Sequence, residues 1–450
     1  MIEKIFKLKE NKTNINTEFI AGLTTFIAMS YIIFLNPSVL SQTGMSYEAV
    51  FTATILTTVI ATLFLGLYAN VPYASSAGIG LGSLFTYTLC GGLGYSWQES
   101  LAIVFICGCI NLLVTLTSLR KKIISSIPSF LQEAITIGIG LFITYVGLIN
   151  AGIIEFGASG ITNGIAHDVV PKLSNLMTPS VLVSVLGLVF TSILLVKKKK
   201  AAYLKGIIFS SLIGIPLGVT KLPDFSNFKL IPSITPTLLK LDFSGLFTIK
   251  TGIFVLLMTI FTITISDLFD TIGIFIGTGK KSGIFKIDKD GNMPKNLERA
   301  MVADSAGTII GAMLGTSNAT TYLESTAGIE AGGRTGLTSV FVSLFFLLSI
   351  FLYPIIECVP MAAVAPVLIL IGVSMFESVS SIDFKKLEIA IPAFFTIVMM
   401  PLGYSITTGI EFGFIFYSVI SIYTGKTKDV SPIIYIFSFL FMLKYILMAI

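Results

Sequence analysis

Apolar runs of about twenty residues follow one another along almost the whole chain, separated by short polar segments. A run of that length is what an α-helix needs to cross the hydrocarbon core of a bilayer. The pattern predicts spans at 18–40, 47–69, 73–91, 97–119, 128–150, 179–196, 202–220, 250–277, 299–315, 322–332, 336–353, 360–378, 387–402 and 405–423. Two of them, 73–91 and 322–332, are short and glycine-rich, and each counts as a crossing only with the extended segment before it. A last apolar run, 432–449, is interrupted by Lys444 and is predicted as an amphipathic helix at the inner interface.

The positions of the cations orient these spans. Basic residues fall at Arg120-Lys121-Lys122, Lys197 to Lys200, the 280–299 loop, Arg334, Lys385-Lys386, and Lys426 with Lys428. The alternate loops 41–46, 92–96, 354–359 and 403–404 carry no Lys or Arg. The two long loops on that side are mixed, with Lys172 in one and Lys221, Lys229 and Lys240 in the other. By the positive-inside rule both termini are expected in the cytoplasm of a multi-pass protein of the inner or plasma membrane.

Composition narrows the class. Charged residues make up 12% of the chain, against about 25% in soluble domains, so the lipid bilayer is the expected surrounding. The net charge of +5 comes from loop cations and does not point to nucleic acid. No metal triad, nucleophile elbow or phosphate loop is present, so neither an enzyme nor a cofactor or metal site is expected. Cys90, Cys107, Cys109 and Cys358 form no CxxC pair and read as small buried hydrophobes. His167, the single histidine, falls in an outer loop, which leaves carboxylates to carry any proton within the membrane.

Polar residues inside the spans mark the chemistry. The stretch Gly315-Thr316-Ser317-Asn318-Ala319-Thr320-Thr321-Tyr322-Leu323-Glu324 puts small and β-branched polar residues where Leu and Ile are expected. Such composition predicts non-helical backbone at membrane depth, which survives only when buried in protein or lining a cavity. Glu324 then opens a short helix, and a carboxylate at that depth reads as a functional group before it reads as a simple cap. The corresponding stretch is Pro72 to Gly82, third span in the first half as 322–332 is third in the second. Ile127-Pro128 before Gly138-Ile139-Gly140-Leu141 is matched by Val359-Pro360 before Leu370-Ile371-Gly372-Val373. Seven spans per half, an odd number, make the halves an inverted repeat, and paired interrupted spans point to a transporter's binding site. Asp267 and Asp270, three residues apart, share one helical face that cannot meet lipid. They are candidates for proton relay or substrate bonding, or for a buried pair with Arg299 or Arg334. Asp304 is expected to be structural, near the inner end of its span, and Glu411 has no assigned role.

Thr320-Thr321-Tyr322-Leu323-Glu324 resembles the tenth-span motif of the nucleobase–ascorbate transporters. Gly22-Leu23-Thr24-Thr25-Phe26, Tyr31 to Pro37, Asp267-Leu268-Phe269-Asp270-Thr271-Ile272-Gly273 and Ala331 to Thr338 resemble its adenine/guanine/hypoxanthine permease branch. The resemblance implies an all-α polytopic fold of fourteen segments in a 7+7 inverted repeat, with short strands and half-helices in segments 3 and 10. It implies a core domain in two parts (1–120 and 246–353), a gate domain in two parts (121–245 and 354–428), and the terminal helix at 429–450. By motif position Glu324 and Asp267 would hold the substrate and, with Asp270, couple protons; Ala77, Gly78, Leu323 and Thr271 would lie near. Phe26 and Phe85 are candidates to stack on it. One position departs from the branch: Gly82 stands where Asn is usual, and is expected to tune substrate choice.

The function so implied is proton symport of a purine nucleobase (adenine, guanine or hypoxanthine) by elevator-like alternating access, in a homodimer. Alternatives are a same-fold carrier of xanthine, uracil or a small anion, and a channel.

Overall fold

The computed structural model describes residues 2–117, 126–158, 161–162, 165–166, 169–222, 231–247, 252–282, 284–285, 294–427 and 430–449. Arg120, Lys121, Lys122, His167, Lys229 and Lys428 lie outside the described residues.

A short helix, α1 (Ile2–Phe6), precedes a first span split into α2 (Ile15–Met29) and α3 (Ile32–Leu40). Asn14 starts α2 by accepting from the Thr17 amide. Helix α4 (Tyr47–Phe64) starts on Ser46 and continues in a wider turn to Ala69. The third segment is strand β1 (Ser75–Ala77) followed by α5 (Ile79–Ser83), which winds on to Gly92. Helix α6 (Trp97–Leu116) opens with a reciprocal Ser96–Glu99 capping box. Then come α7 (Ser129–Asn150), the strands β2 (Ile154–Ala158), β3 (Ile161–Thr162), β4 (Ile165–Ala166) and β5 (Val169–Leu173), α8 (Pro179–Val196) and α9 (Ala202–Gly214).

The second half repeats this order. It contains α10 (Ile253–Ser282), α11 (Lys295–Leu314), β6 (Ala319–Thr321), α12 (Ser325–Glu330), α13 (Gly336–Ser349), α14 (Tyr353–Ile356), α15 (Met361–Met375), α16 (Leu387–Leu402), α17 (Ile406–Tyr423) and α18 (Pro432–Ala449). Among the described residues, eight helical stretches are long and apolar enough to cross a membrane, with shorter apolar helices beside them, so the fold is polytopic and helical.

The two halves meet at glycines. A Cβ on Gly372 would lie 2.3 Å from the Gly140 carbonyl oxygen, and one on Gly140 would lie 2.8 Å from the Gly372 oxygen. The glycines that mark the sequence repeat are thus the crossing point of α7 and α15. The halves also join strand to strand, β1 with β6, antiparallel, pairing Ser75 with Thr321, Ser76 with Thr320 and Ala77 with Ala319.

Two features depart from the sequence reading. The described residues between α7 and α8, expected as an outer loop, form two antiparallel strand pairs, β2 with β5 and β3 with β4. The β-branched ones, among them Ile154, Thr162, Ile165, Val169 and Val170, favour extended pairing over coil. Helix α18 was expected flat at the inner interface, yet its contacts run along α17. Ser418 meets Ser438 at 2.6 Å, and Lys444 Nζ lies 2.6 Å from Glu411 Oε1.

Candidate functional site

Strand backbone inside a membrane needs every donor and acceptor met by protein. Here both outer edges of the strand pair are served by side chains from neighbouring helices. On the β1 side, the Thr62 hydroxyl of α4 accepts from the Ser75 amide and donates to the Ser75 carbonyl, both at 3.0 Å. Thr58 and Ser76 share a 2.6 Å hydroxyl contact. On the β6 side, Thr308 of α11 donates to the Ala319 carbonyl (2.9 Å), and Thr321 donates to Asp304 Oδ1 (2.9 Å). The threonines of the repeated second span therefore explain how three-residue strands persist at this depth.

The ends of the pair are tied across. The Gly78 amide donates to Asn318 O at 2.8 Å, and the Tyr322 amide to Ala74 O at 2.9 Å. The Tyr322 hydroxyl donates to Ala77 O at 2.5 Å, and Ser325 Oγ accepts from the Ala74 amide at 3.0 Å. Gly78 is required by close approach: a Cβ there would stand 2.7 Å from Thr320 Oγ1. These bonds bring Ala77, Gly78, Leu323 and Glu324 to one place where both half-helices begin.

Glu324 is the N-cap residue of α12 in sequence position, but its side chain makes no capping hydrogen bond. It accepts instead from the Tyr31 hydroxyl, at the break between α2 and α3. The carboxylate is half-buried, and Leu323 beside it is exposed. Tyr31 is fully buried in the chain and packs edge-on against Tyr203 of α9, with centroids 5.3 Å apart. Its ring also lies 6.5 Å from that of Tyr322. Three tyrosines, two from the strand-bearing half-helices and their neighbour and one from α9, thus surround the approach to one carboxylate.

Behind β6 lies a second polar cluster. Asp267 Oδ2 of α10 accepts from Asn111 Nδ2 (2.7 Å) and Asn318 Nδ2 (3.3 Å), while Asp267 Oδ1 and Asn111 Oδ1 have no hydrogen-bond partner among the described residues. Asp304 Oδ2 accepts from Thr271 at 2.6 Å. Asp304 therefore faces the strand rather than the inner end of its span, where the sequence reading put it. It binds Thr271 and Thr321, which joins α10, α11 and β6. Structural use of Asp304 is what its two hydroxyl partners provide.

The predicted residues divide accordingly. Glu324, Ala77, Gly78 and Leu323 come together at the half-helix starts. Asp267 is linked to them through Asn318, whose own carbonyl holds Gly78. Thr271 points to Asp304, and Asp270, next to it on α10, is half-buried. Phe26 packs on Phe345 and Phe346 and lines an apolar crevice with Ile207, Leu204 and Ile355. No described contact joins it to Glu324. Phe85 is fully buried in the core. Gly82 also turns away: a Cβ there would meet Ser317 Oγ (3.3 Å) and Asn36 Oδ1 (3.5 Å), in the seam between α5 and α3.

Sequence reasoning missed Tyr31, Tyr203, Asn111 and Asn318. A signal existed for Asn111, an amide in an otherwise apolar span, where a polar side chain must find a protein partner. Arg334, read as an inner-loop anchor, donates to Ile329 O and Gly333 O and so closes the C-terminus of α12. Its amide and that of Thr338 donate to Glu18, which caps the start of α13.

Residues 16–412 match the profile of the permease family. Over 446 residues the chain is 38% identical to the adenine permease AdeP of Escherichia coli (strain K12), covering 99% of this chain and 96% of that one. It is 36% identical over 449 residues to the guanine/hypoxanthine permease PbuO of Bacillus subtilis (strain 168), covering 98% and 99%. Among solved structures, the transmembrane domain of a cyanobacterium bicarbonate transporter, BicA, has a TM-score of 0.60 at 14% identity, covering 89% of this chain and 97% of that chain. That likeness is one of fold. The chain belongs to the permease family.

Proposed function

We propose that this permease carries purine nucleobases across the cell membrane by proton symport, binding the base between Glu324 and the tyrosines around it. The observation that carries the reading is the pairing of Glu324 with Tyr31 at the start of a half-helix. The names of the purine permeases to which the chain is similar support it.

A purine is flat, apolar on its faces and edged with N–H and ring nitrogen. The Glu324 carboxylate accepts an N–H edge. Tyr31, Tyr322 and Tyr203 cluster beside it, with the Tyr31 ring centroid 5.3 Å from that of Tyr203 and 6.5 Å from that of Tyr322, and supply the aromatic surface a planar base needs. Leu323 and the Ala77–Gly78 backbone line the same place. A proton on Glu324 neutralises it for the loaded crossing, since a bare carboxylate moved through the bilayer is costly. Asp267 and Asp270 form the second proton-accepting group, and Asp267 reaches the site through Asn318.

Tyr31 lies on a helix packed with β1, whereas Tyr203 comes from α9, on the other side of the site. Movement of α2–α6 with α10–α13 against α7–α9 with α15–α17 would separate these two rings and open the site alternately. Such rocking of one bundle against another around a fixed site is how inverted-repeat carriers work.

The test is uptake of radiolabelled adenine, guanine, hypoxanthine, xanthine and uracil in cells lacking their own permeases. Saturable purine uptake that collapses with a protonophore is expected. Purine uptake indifferent to the protonophore removes the symport; uptake of xanthine or uracil alone removes the purine assignment.

A further inference from the structure

The terminal helix α18 holds the structure's most unusual charge. Lys444 lies near the end of an 18-residue apolar helix and is 6% exposed; its partner Glu411 is fully buried in α17. Lys444 Nζ sits 2.6 Å from Glu411 Oε1, and the Tyr445 hydroxyl donates to Glu411 Oε2 at 2.7 Å.

The contacts between α17 and α18 keep one register over about two turns. Ser418 meets Ser438 at 2.6 Å, and Ser438 also donates to the Phe414 carbonyl at 2.8 Å. Phe414 meets Phe441 edge-on at 6.1 Å, and Glu411 meets Lys444. As the number falls along α17 it rises along α18, so the helices are antiparallel neighbours. Helix α17 is among those long and apolar enough to cross a membrane. Its neighbour is matched to it from Ser418 to Glu411, the middle of that helix and toward its far end.

The opposite face of α18 gives the same answer. Ile436, Phe439, Met442 and Ile446 are exposed there, at helical spacing and apolar from one end to the other. An interfacial helix shows a charged face to water and lets its lysines snorkel outward. In α18 the one cation turns inward, to a buried carboxylate, and the outward stripe suits lipid tails. At 1.5 Å per residue, eighteen residues reach about 27 Å, close to the hydrocarbon thickness.

We infer that α18 is a further membrane crossing, carried through the bilayer by the Lys444–Glu411 pair, so that the two ends of the chain lie on opposite faces of the membrane. Beyond α17, the helix also meets α10, where Phe437 stacks on Phe261 with centroids 3.7 Å apart.

Three full-length versions test this, with an epitope tag before Ile2, inserted after Lys426, or added after Ile450. Antibody is applied to right-side-out and inside-out membrane vesicles. The first two tags should be read from one face and the third from the other. All three read from the same face would overturn the crossing. For the pair, Glu411→Gln strands a cation and should cut the C-terminal tag on the far face several-fold, and adding Lys444→Met should restore it. A single variant with an unchanged far-face signal would overturn the role of the pair while leaving the wild-type tags to decide the crossing. The readout is independent of substrate, so its failure is separate from failure of the purine assignment.

Discussion

Replacing Tyr31 by Phe removes one oxygen and keeps the ring. The ring contacts with Tyr203 and Tyr322 do not need that oxygen, so packing should survive. What disappears is the hydroxyl donated to Glu324. A hydrogen bond to a charged group is worth roughly 1.5–3 kcal/mol, because a donor lost in a water-poor site is not replaced. At about 1.4 kcal/mol per tenfold, the change corresponds to roughly ten- to a hundredfold. We expect purine uptake per transporter at low substrate to fall by that factor, with surface level and unfolding temperature near those of the parent. The assay is initial-rate uptake of labelled adenine or guanine at several concentrations, normalised to surface expression. Parental efficiency in a normally expressed Tyr31→Phe protein would refute the view that this bond prepares Glu324 for substrate.

Glu324→Gln should fold and reach the membrane but lose protonophore-sensitive accumulation; retained accumulation in the uptake assay would count against Glu324 as the coupling group. Asp267→Asn should damage uptake more than stability. Asp304→Asn should do the reverse, because an amide has a single acceptor oxygen for the two threonine hydroxyls and leaves one bond unmade, a cost of about 1–3 kcal/mol readable as a lower unfolding temperature in detergent. Gly78→Ala should abolish uptake through its clash with Thr320, and Thr320→Ala in the same chain should restore part of it. Gly82→Asn should leave the order of competing bases unchanged and lower the unfolding temperature, since even a Cβ there would stand 3.3 Å from Ser317 Oγ and 3.5 Å from Asn36 Oδ1.

The broken segments were legible because membrane physics leaves few readings for Gly, Ser and Thr at that depth. The same reasoning singled out Glu324, while Ala77 and Gly78 came from the family resemblance, and the structure sets all three where the half-helices begin. The crossing of α7 and α15 was visible as a repeated glycine whose purpose the structure supplies. Tyr31 was not legible as a ligand of Glu324, because an aromatic residue at a helix break is usually packing, and its partner lies 293 positions away. Gly82 was misplaced for a related reason: position along a half-helix gives no azimuth, and the side facing Asn36 could not be told from the side facing the site. For α18, Lys444 broke the apolar run in one dimension. Only the fold revealed that Glu411, unassigned in the sequence, was its counterion.

The pairing of β1 with β6 also bears on how the chain is made. The Tyr322–Ala77 bond joins residues 245 positions apart, so the first strand leaves the ribosome long before the second exists. During that interval Ser75, Ser76 and Ala77 have one edge served by Thr58 and Thr62 and the other edge bare. Bare backbone is not tolerated in lipid. The nascent third segment therefore has to wait in a wet or chaperoned place, such as the insertion machinery or the headgroup layer, until the tenth arrives. Insertion of the first half is provisional by construction. A chain arrested before Ala319 should be a substrate for membrane proteases, however apolar its finished helices are.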